Sequence, residues 1–175
     1  MKIGIDISQL AYQRTGVANY LRELVSHLLE IDSHNEYILF FSSLRGKLPH
    51  LDFAQAKNVK VKQFKFPPSA LDLFWNKLHM MPIESLIGDV DVFITSDWTE
   101  PPAKRAKKMT ILYDLIVYKS PEETDKKIEE TQKRKLAWVK KESAMILCIS
   151  EATKKDAMEV LGIEESRLKV AYPGL

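Results

Sequence analysis

A chain of 175 residues with 45% hydrophobic and 29% charged side chains has the make-up of one globular domain with a full core. Its net charge of +2 gives no basic field of the kind that gathers nucleic acid, and no apolar run approaches the roughly 20 residues needed to span a bilayer. The single cysteine, Cys148, cannot make an internal disulfide and sits in the apolar run Met145 to Ile149, so it reads as a buried, inert thiol in a reducing, cytoplasmic setting.

In chain order, Lys2 to Ile7 is a short apolar strand that reaches Asp6 and breaks into the loop Ser8 to Gly16. From Val17 the apolar residues recur as Leu21, Leu24, Val25, Leu28 and Leu29, the spacing of one helix face. Tyr37 to Phe41 is continuously apolar and suits a strand buried on both sides. Asn58 to Phe66 alternates apolar with polar, as expected of a strand near a sheet edge. Ser69 is the predicted N-cap of a helix over 70–80, with Leu71, Phe74, Trp75 and Leu78 on one face, a core face or an apolar surface for lipid.

Asp91 to Thr95 is the next strand, followed by the polar loop Ser96 to Pro102; Lys104 to Lys108 reads as a solvated basic loop, or one that meets anionic lipid heads or a phosphate-bearing acceptor, before the strand Met109 to Tyr113. Pro121 opens a long charged helix to about Glu142, a surface helix with a thin stripe of Ile128, Leu136 and Val139. Ala144 to Ile149 is a strand, Ser150 caps a helix that Gly162 stops, and Leu168 to Tyr172 is a last strand. This alternation predicts an α/β fold: a doubly wound, mostly parallel, Rossmann-like sheet of six or seven strands, helices on both faces, one domain over 1–175.

In such sheets ligands sit beyond the carboxyl ends of the strands. That rule gathers Asp6 to Gly16, Ser96 to Glu100, Tyr113 to Val117 and Ser150 to Lys154 around one crevice. Gly16 stands at a helix start, where free N–H groups face an anion or where a glycine simply eases the turn. Asp97 and Trp98 offer a carboxylate for hydroxyls and an aromatic face for a sugar ring, or a packed indole beside a solvated acid. Asp6, Tyr113 and Asp114 either line the site or cap their own loops. The four histidines, His27, His34, His50 and His79, lack ligand spacing, so no metal site is expected. A dinucleotide-dependent oxidoreductase needs a short glycine-rich turn and an acid ending the second strand, whereas this loop has one glycine and Phe41-Ser42-Ser43 ends that strand.

Several segments resemble the N-terminal domain of group 1 (family 4) glycosyltransferases of the GT-B fold. Met1 to Asp6 with Arg14-Thr15-Gly16-Val17-Ala18-Asn19-Tyr20-Leu21 is similar to their opening strand and glycine loop. Asp91 to Ile94 with Pro101-Pro102 resembles their acceptor-side loop, and Thr110 to Ile116 with Ser120-Pro121-Glu122 their strand ending in His-Asp-Leu. Cys148 to Asp156, then Leu161-Gly162-Ile163 to Pro173-Gly174, resembles the end of that domain. Two departures stand out: the first loop has Gly16 alone rather than a glycine pair, and Tyr113 replaces the family's histidine. A tyrosine hydroxyl can donate a hydrogen bond but carries no proton load near neutrality.

The resemblance implies transfer of a sugar from a nucleotide diphosphate sugar, a co-substrate rather than a cofactor, to a hydroxyl acceptor, glycan or lipid-linked, with retained configuration. It implies Tyr113 and Asp114 as catalytic, Thr15, Gly16 and Val17 at the donor diphosphate, and Asp6, Asp97, Trp98, Ser150 and Thr153 at the acceptor. It further implies a second, nucleotide-sugar-binding C-terminal domain as partner, without which this half does not turn over, and leaves open peripheral contact with the inner face of the membrane. A non-catalytic binding or regulatory module, or a sugar-nucleotide epimerase of the same fold, is the alternative.

Overall fold

The computed structural model describes every residue except Asp97 and Leu175. In chain order the elements are β1 (Lys2–Asp6), α1 (Gly16–Ile31), β2 (Glu36–Ser42), β3 (Val59–Phe64), α2 (Pro68–Leu71), a π-helical stretch (Asp72–Lys77), α3 (Glu84–Ile87), β4 (Val92–Thr95), β5 (Lys107–Leu112), α4 (Ile116–Lys119), α5 (Lys126–Glu142), β6 (Ser143–Cys148), α6 (Glu151–Leu161) and β7 (Leu168–Val170). The strands form one seven-stranded sheet in the order β3-β2-β1-β4-β5-β6-β7, and every pairing is parallel. The fold is therefore the expected Rossmann-like, doubly wound α/β sheet. The alternating strand β3 lies at the edge, as its pattern predicts.

Successive side chains in a strand point to opposite faces, so a sheet covered on both sides must be apolar throughout. Strand β2 shows this: Tyr37, Leu39 and Phe41 pack with α1 residues Leu21 and Val25, while Ile38 and Phe40 pack on the other face with Trp75 and Phe93. Beneath α5 and α6 a third cluster gathers Leu112, Leu136, Val139, Ile146 and Leu161. Between the second and third clusters runs a polar seam. Register pairs Phe93 with Lys108 and Thr95 with Thr110, so Lys108 and Thr110 share the face that α5 covers.

The structure corrects four sequence expectations. Ser69 caps nothing, because Pro67 takes the N-cap position and Pro68 the first turn, and the helix widens into π geometry at Asp72. Its predicted core face splits: Leu71 and Trp75 are buried, but Phe74 and Leu78 are exposed. The helix expected from Pro121 is interrupted; Pro121–Glu123 is a 3-10 turn, and α5 begins at Lys126 with the Asp125 side chain accepting from Lys127 N–H at 2.9 Å. Finally, Lys107 and Lys108 belong to β5 rather than a solvated loop, and the backbone N–H groups of Lys104, Arg105 and Ala106 all donate to Glu84 Oε1 at 2.9 to 3.1 Å.

Other readings hold. Ser150 Oγ accepts from Thr153 N–H at 3.1 Å, and Gly162 ends α6 in the left-handed conformation, φ +62°. Cys148 is fully buried, and burial pushes its thiol up to about 11. No helix of the described residues is long and apolar enough to cross a membrane.

Gly4 marks the tightest approach in the sheet. A Cβ there would lie 2.7 Å from Phe93 Cδ2 and 2.9 Å from Ile87 Cδ1, and both neighbours are buried. Overpacking of this kind costs about 1–3 kcal/mol, so Gly4→Ala should lower the melting temperature by about 2–12 °C in a thermal scan. An unchanged melt would contradict the packing of α3 on β1.

Candidate functional site

The strand order reverses at β1: the chain winds outward to β2 and β3 on one side, then returns to β4 on the other. The carboxyl ends of β1, β4 and β5 therefore open on one crevice, the place where an α/β sheet takes its ligands. Asp6 ends β1, Ser96 and Trp98 follow β4, and Tyr113 and Asp114 follow β5.

Three hollows meet there. The first, about 180 Å³, is lined by Val17, Trp98, Tyr113, Asp114 and residues of α5 including Lys135. The second, about 420 Å³, is lined by Gly16, Val17, Tyr20, Tyr113 and Asp114, with Pro173 and Gly174 along its rim. The third, about 410 Å³, lies past Trp98 and Ile128 and reaches Asp72, Lys77, Lys127 and Thr131. Tyr113 and Asp114 join the first two; Trp98 joins the first and third.

The structure thus brings Gly16, Val17, Trp98, Tyr113 and Asp114 together. Thr15, beside them in sequence, is exposed and serves as N-cap of α1, its Oγ1 accepting from Ala18 N–H at 3.2 Å. Gly16 is not demanded by its backbone angle, and nothing lies within 4 Å of where its Cβ would be. Its bare backbone is open to the crevice, at the positive end of a 16-residue helix.

Ser150 and Thr153 line none of these hollows. Thr153 Oγ1 donates to Tyr113 O at 3.1 Å, so the pair anchors the strand end instead of facing it. Asp6 is buried, with Oδ1 accepting from Ser8 N–H at 2.9 Å. Asp114 is exposed and its Oδ1 accepts from Ile116 N–H at 3.1 Å, which sets the start of α4. The expectation for Asp97 falls outside the described residues.

Tyr113 is held on three sides. Its hydroxyl is 3.1 Å from Ser96 Oγ, its ring meets Tyr20 edge-on at 5.7 Å and 84°, and its carbonyl receives Thr153. Tyr20 OH in turn donates to Ala171 O at 2.9 Å, tying the crevice to the C-terminal segment.

Beneath the loop that carries Trp98 lies a set of buried charges. Glu100 has no exposure; its Oε2 is 2.7 Å from Thr95 Oγ1 and its Oε1 is 2.9 Å from Lys108 Nζ. Lys108 also reaches Glu142 Oε2 at 3.0 Å. Burial alone would raise the Glu142 carboxyl, but Lys108 and His79 hold it below the usual glutamate value. Asn76, itself buried, donates to Trp98 O at 2.9 Å and accepts from Glu100 N–H at 3.0 Å. From α5, Lys135 Nζ donates to Ser96 O at 2.8 Å.

Sequence reasoning placed Glu100 in the crevice loop without foreseeing its burial, and missed Lys108 and Lys135. Lys108 alternates with Thr110 and Leu112 on the inward face of its strand, and Lys135 falls on the stripe of Ile128, Leu136 and Val139, so periodicity marks both as inward. The surface-helix expectation for α5 fails at Lys135 because its ammonium caps the loop after β4. It holds where Glu129–Lys133 and Glu130–Arg134 pair one turn apart.

Comparison with known families finds no matching family model, and comparison with curated proteins finds no match. Among the described residues no three His, Cys, Asp or Glu side chains gather as a metal site would require.

Burial raises the Asp6 carboxyl above its ordinary value, outweighing the Ser8 hydrogen bonds and the charge of Lys135 that lower it. As pH rises the unfolded chain therefore ionises Asp6 first, and above the ordinary value the charged form works against folding. Asp6→Asn keeps the acceptor for Ser8 N–H and removes that charge. Thermal melts should show the variant more stable than the parent at pH 7, with the gap closing below the ordinary aspartate value. A gap independent of pH would contradict the raised value.

Proposed function

We propose that this chain is the acceptor-side lobe of a retaining glycosyltransferase that moves a sugar from a nucleotide diphosphate sugar to a hydroxyl acceptor. The observation that carries the reading is the single hollow shared by the Trp98 indole, Tyr113, Asp114 and Val17 of the first turn of α1. It joins an aromatic face, a carboxylate and a helix N-terminus, which suit a sugar ring, its hydroxyls and a diphosphate in turn.

In the transfer, the bond from the anomeric carbon to the diphosphate oxygen breaks and one to the acceptor oxygen forms, while the proton of the acceptor hydroxyl passes to the departing diphosphate oxygen. The diphosphate leaves with growing negative charge. Preorganised backbone N–H groups at Gly16 and Val17 stabilise that charge without reorganising, which is the largest kind of help a site gives. Asp114 is placed to accept a hydrogen bond from a sugar hydroxyl, and Tyr113 holds the floor of the hollow through Ser96. The charge-bearing groups for the nucleotide itself belong, on this reading, to a second lobe facing this crevice.

A screen of the chain against immobilised glycans tests the proposal. Binding to a subset is expected, with Trp98→Ala weakening it about tenfold, equivalent to about 1.4 kcal/mol of lost stacking. Binding that Trp98→Ala leaves unchanged, or no glycan bound at all, would contradict it.

A further inference from the structure

Four large apolar side chains stand exposed within eight consecutive residues: Leu73 at 43%, Phe74 at 42%, Leu78 at 52% and Met80 at 59%. Backbone bonds draw them into one patch, Leu78 N–H donating to Leu73 O at 2.9 Å and Met80 N–H to Phe74 O at 2.8 Å. Water disfavours such a cluster, so the geometry that maintains it matters.

That geometry is strained and clamped. His79 and Met81 have φ of +50° and +64°, the left-handed region that costs side chains other than glycine. His79 is fixed by Nδ1 at 2.9 Å from Trp75 O and Nε2 at 2.9 Å from Glu142 Oε1, and its ring stacks on Trp138 at 3.5 Å. Trp75 Nε1 donates to Met81 O at 3.0 Å. The two strained residues are thus pulled inward, and Leu78 and Met80 on either side of His79 are left pointing outward.

Two lysines flank the patch. Lys77 is half exposed, and Lys141 Nζ lies 4.9 Å from the Trp138 ring on which His79 stacks. The acids Asp72 and Glu142 are already matched: Asp72 by Arg134 at 3.1 Å and by Lys77 itself at 3.9 Å, and Glu142 by Lys108 at 3.0 Å. Apolar tips flanked by lysines, with Asp72 and Glu142 already held in ion pairs, complement a surface that is greasy beneath and anionic above.

We infer that Leu73, Phe74, Leu78 and Met80 dock this chain on an anionic phospholipid membrane surface, with Lys77 and Lys141 facing the headgroups. The apolar tips lie in the interface, and the docking involves no spanning helix. Asp72 and Lys77 also line the hollow that Trp98 walls, so docking lays that hollow against the lipid. The inference does not rest on the transferase reading.

Co-sedimentation of the full chain with vesicles tests it. Vesicles of phosphatidylcholine with a quarter phosphatidylglycerol should carry the chain down, and pure phosphatidylcholine much less. The double variant F74S/L78S should lose about tenfold in partition, with an unchanged melting temperature because both residues are exposed. A second variant, L78S/M80S, should behave alike, and Lys141→Glu should erase the preference for the anionic lipid. No sedimentation with the anionic vesicles would overturn the inference, as would binding that both serine variants leave intact. Self-association in sedimentation velocity that F74S/L78S abolishes would overturn it too, by making a second copy the occupant. None of these results bears on glycan binding at Trp98.

Discussion

The contact between Glu100 and Lys108 governs the crevice more than any other. Both side chains are out of water, and taking two charges into the interior is costly unless each finds close partners. Here Thr95, Lys108 and the register of β4 on β5 supply them, and Glu142 completes the cluster from α5. A buried pair of this kind adds little net stability but penalises any arrangement that separates its members. It therefore specifies position, which is what the segment bearing Trp98 requires: the backbone of Glu100 and Trp98 is locked to Asn76, and Ser96 to Lys135.

Position then becomes chemistry. A parallel sheet aims its carboxyl ends and the start of α1 at the same side, so polar loops and helix N–H groups converge there without further design. The apolar strands exclude water from below, while the indole, the carboxylate and the bare glycine backbone are presented above. The exposed patch draws on the same cluster from its other end, because His79 holds its strained turn through Glu142, the second partner of Lys108. One set of buried charges thus stands behind both the crevice and the apolar tips beside it.

The general outline was legible because it rests on periodicity. Continuous apolar runs such as Tyr37 to Phe41 announce strands covered on both faces, and Ser150 with Gly162 announces where α6 starts and stops. The convergence of strand ends was legible once the order of elements is known, and Tyr113 and Asp114 line one hollow with Trp98 and another with Gly16. Its foundation was not. Glu100 follows a tryptophan in a polar loop, and nothing local distinguishes it from a solvated acid; its burial depends on Lys108, which the basic run Lys104 to Lys108 disguised. Likewise the widening at Asp72 turns Phe74 and Leu78 outward, an outcome that spacing of 3.6 residues cannot foresee.

Hydrogen exchange of the Glu100 amide in the parent and in Lys108→Met measures the central claim most directly, with the Leu39 amide in the middle of the sheet as the internal standard for global unfolding. Glu100 N–H donates to Asn76 Oδ1 in a buried setting, so it should be strongly protected in the parent. Removing the ammonium leaves an uncompensated buried carboxylate, a cost of about 3–5 kcal/mol that opening the segment would relieve. The account predicts that Glu100 N–H exchanges far faster in the variant while Leu39 stays protected. Equal protection of Glu100 in both proteins would contradict it.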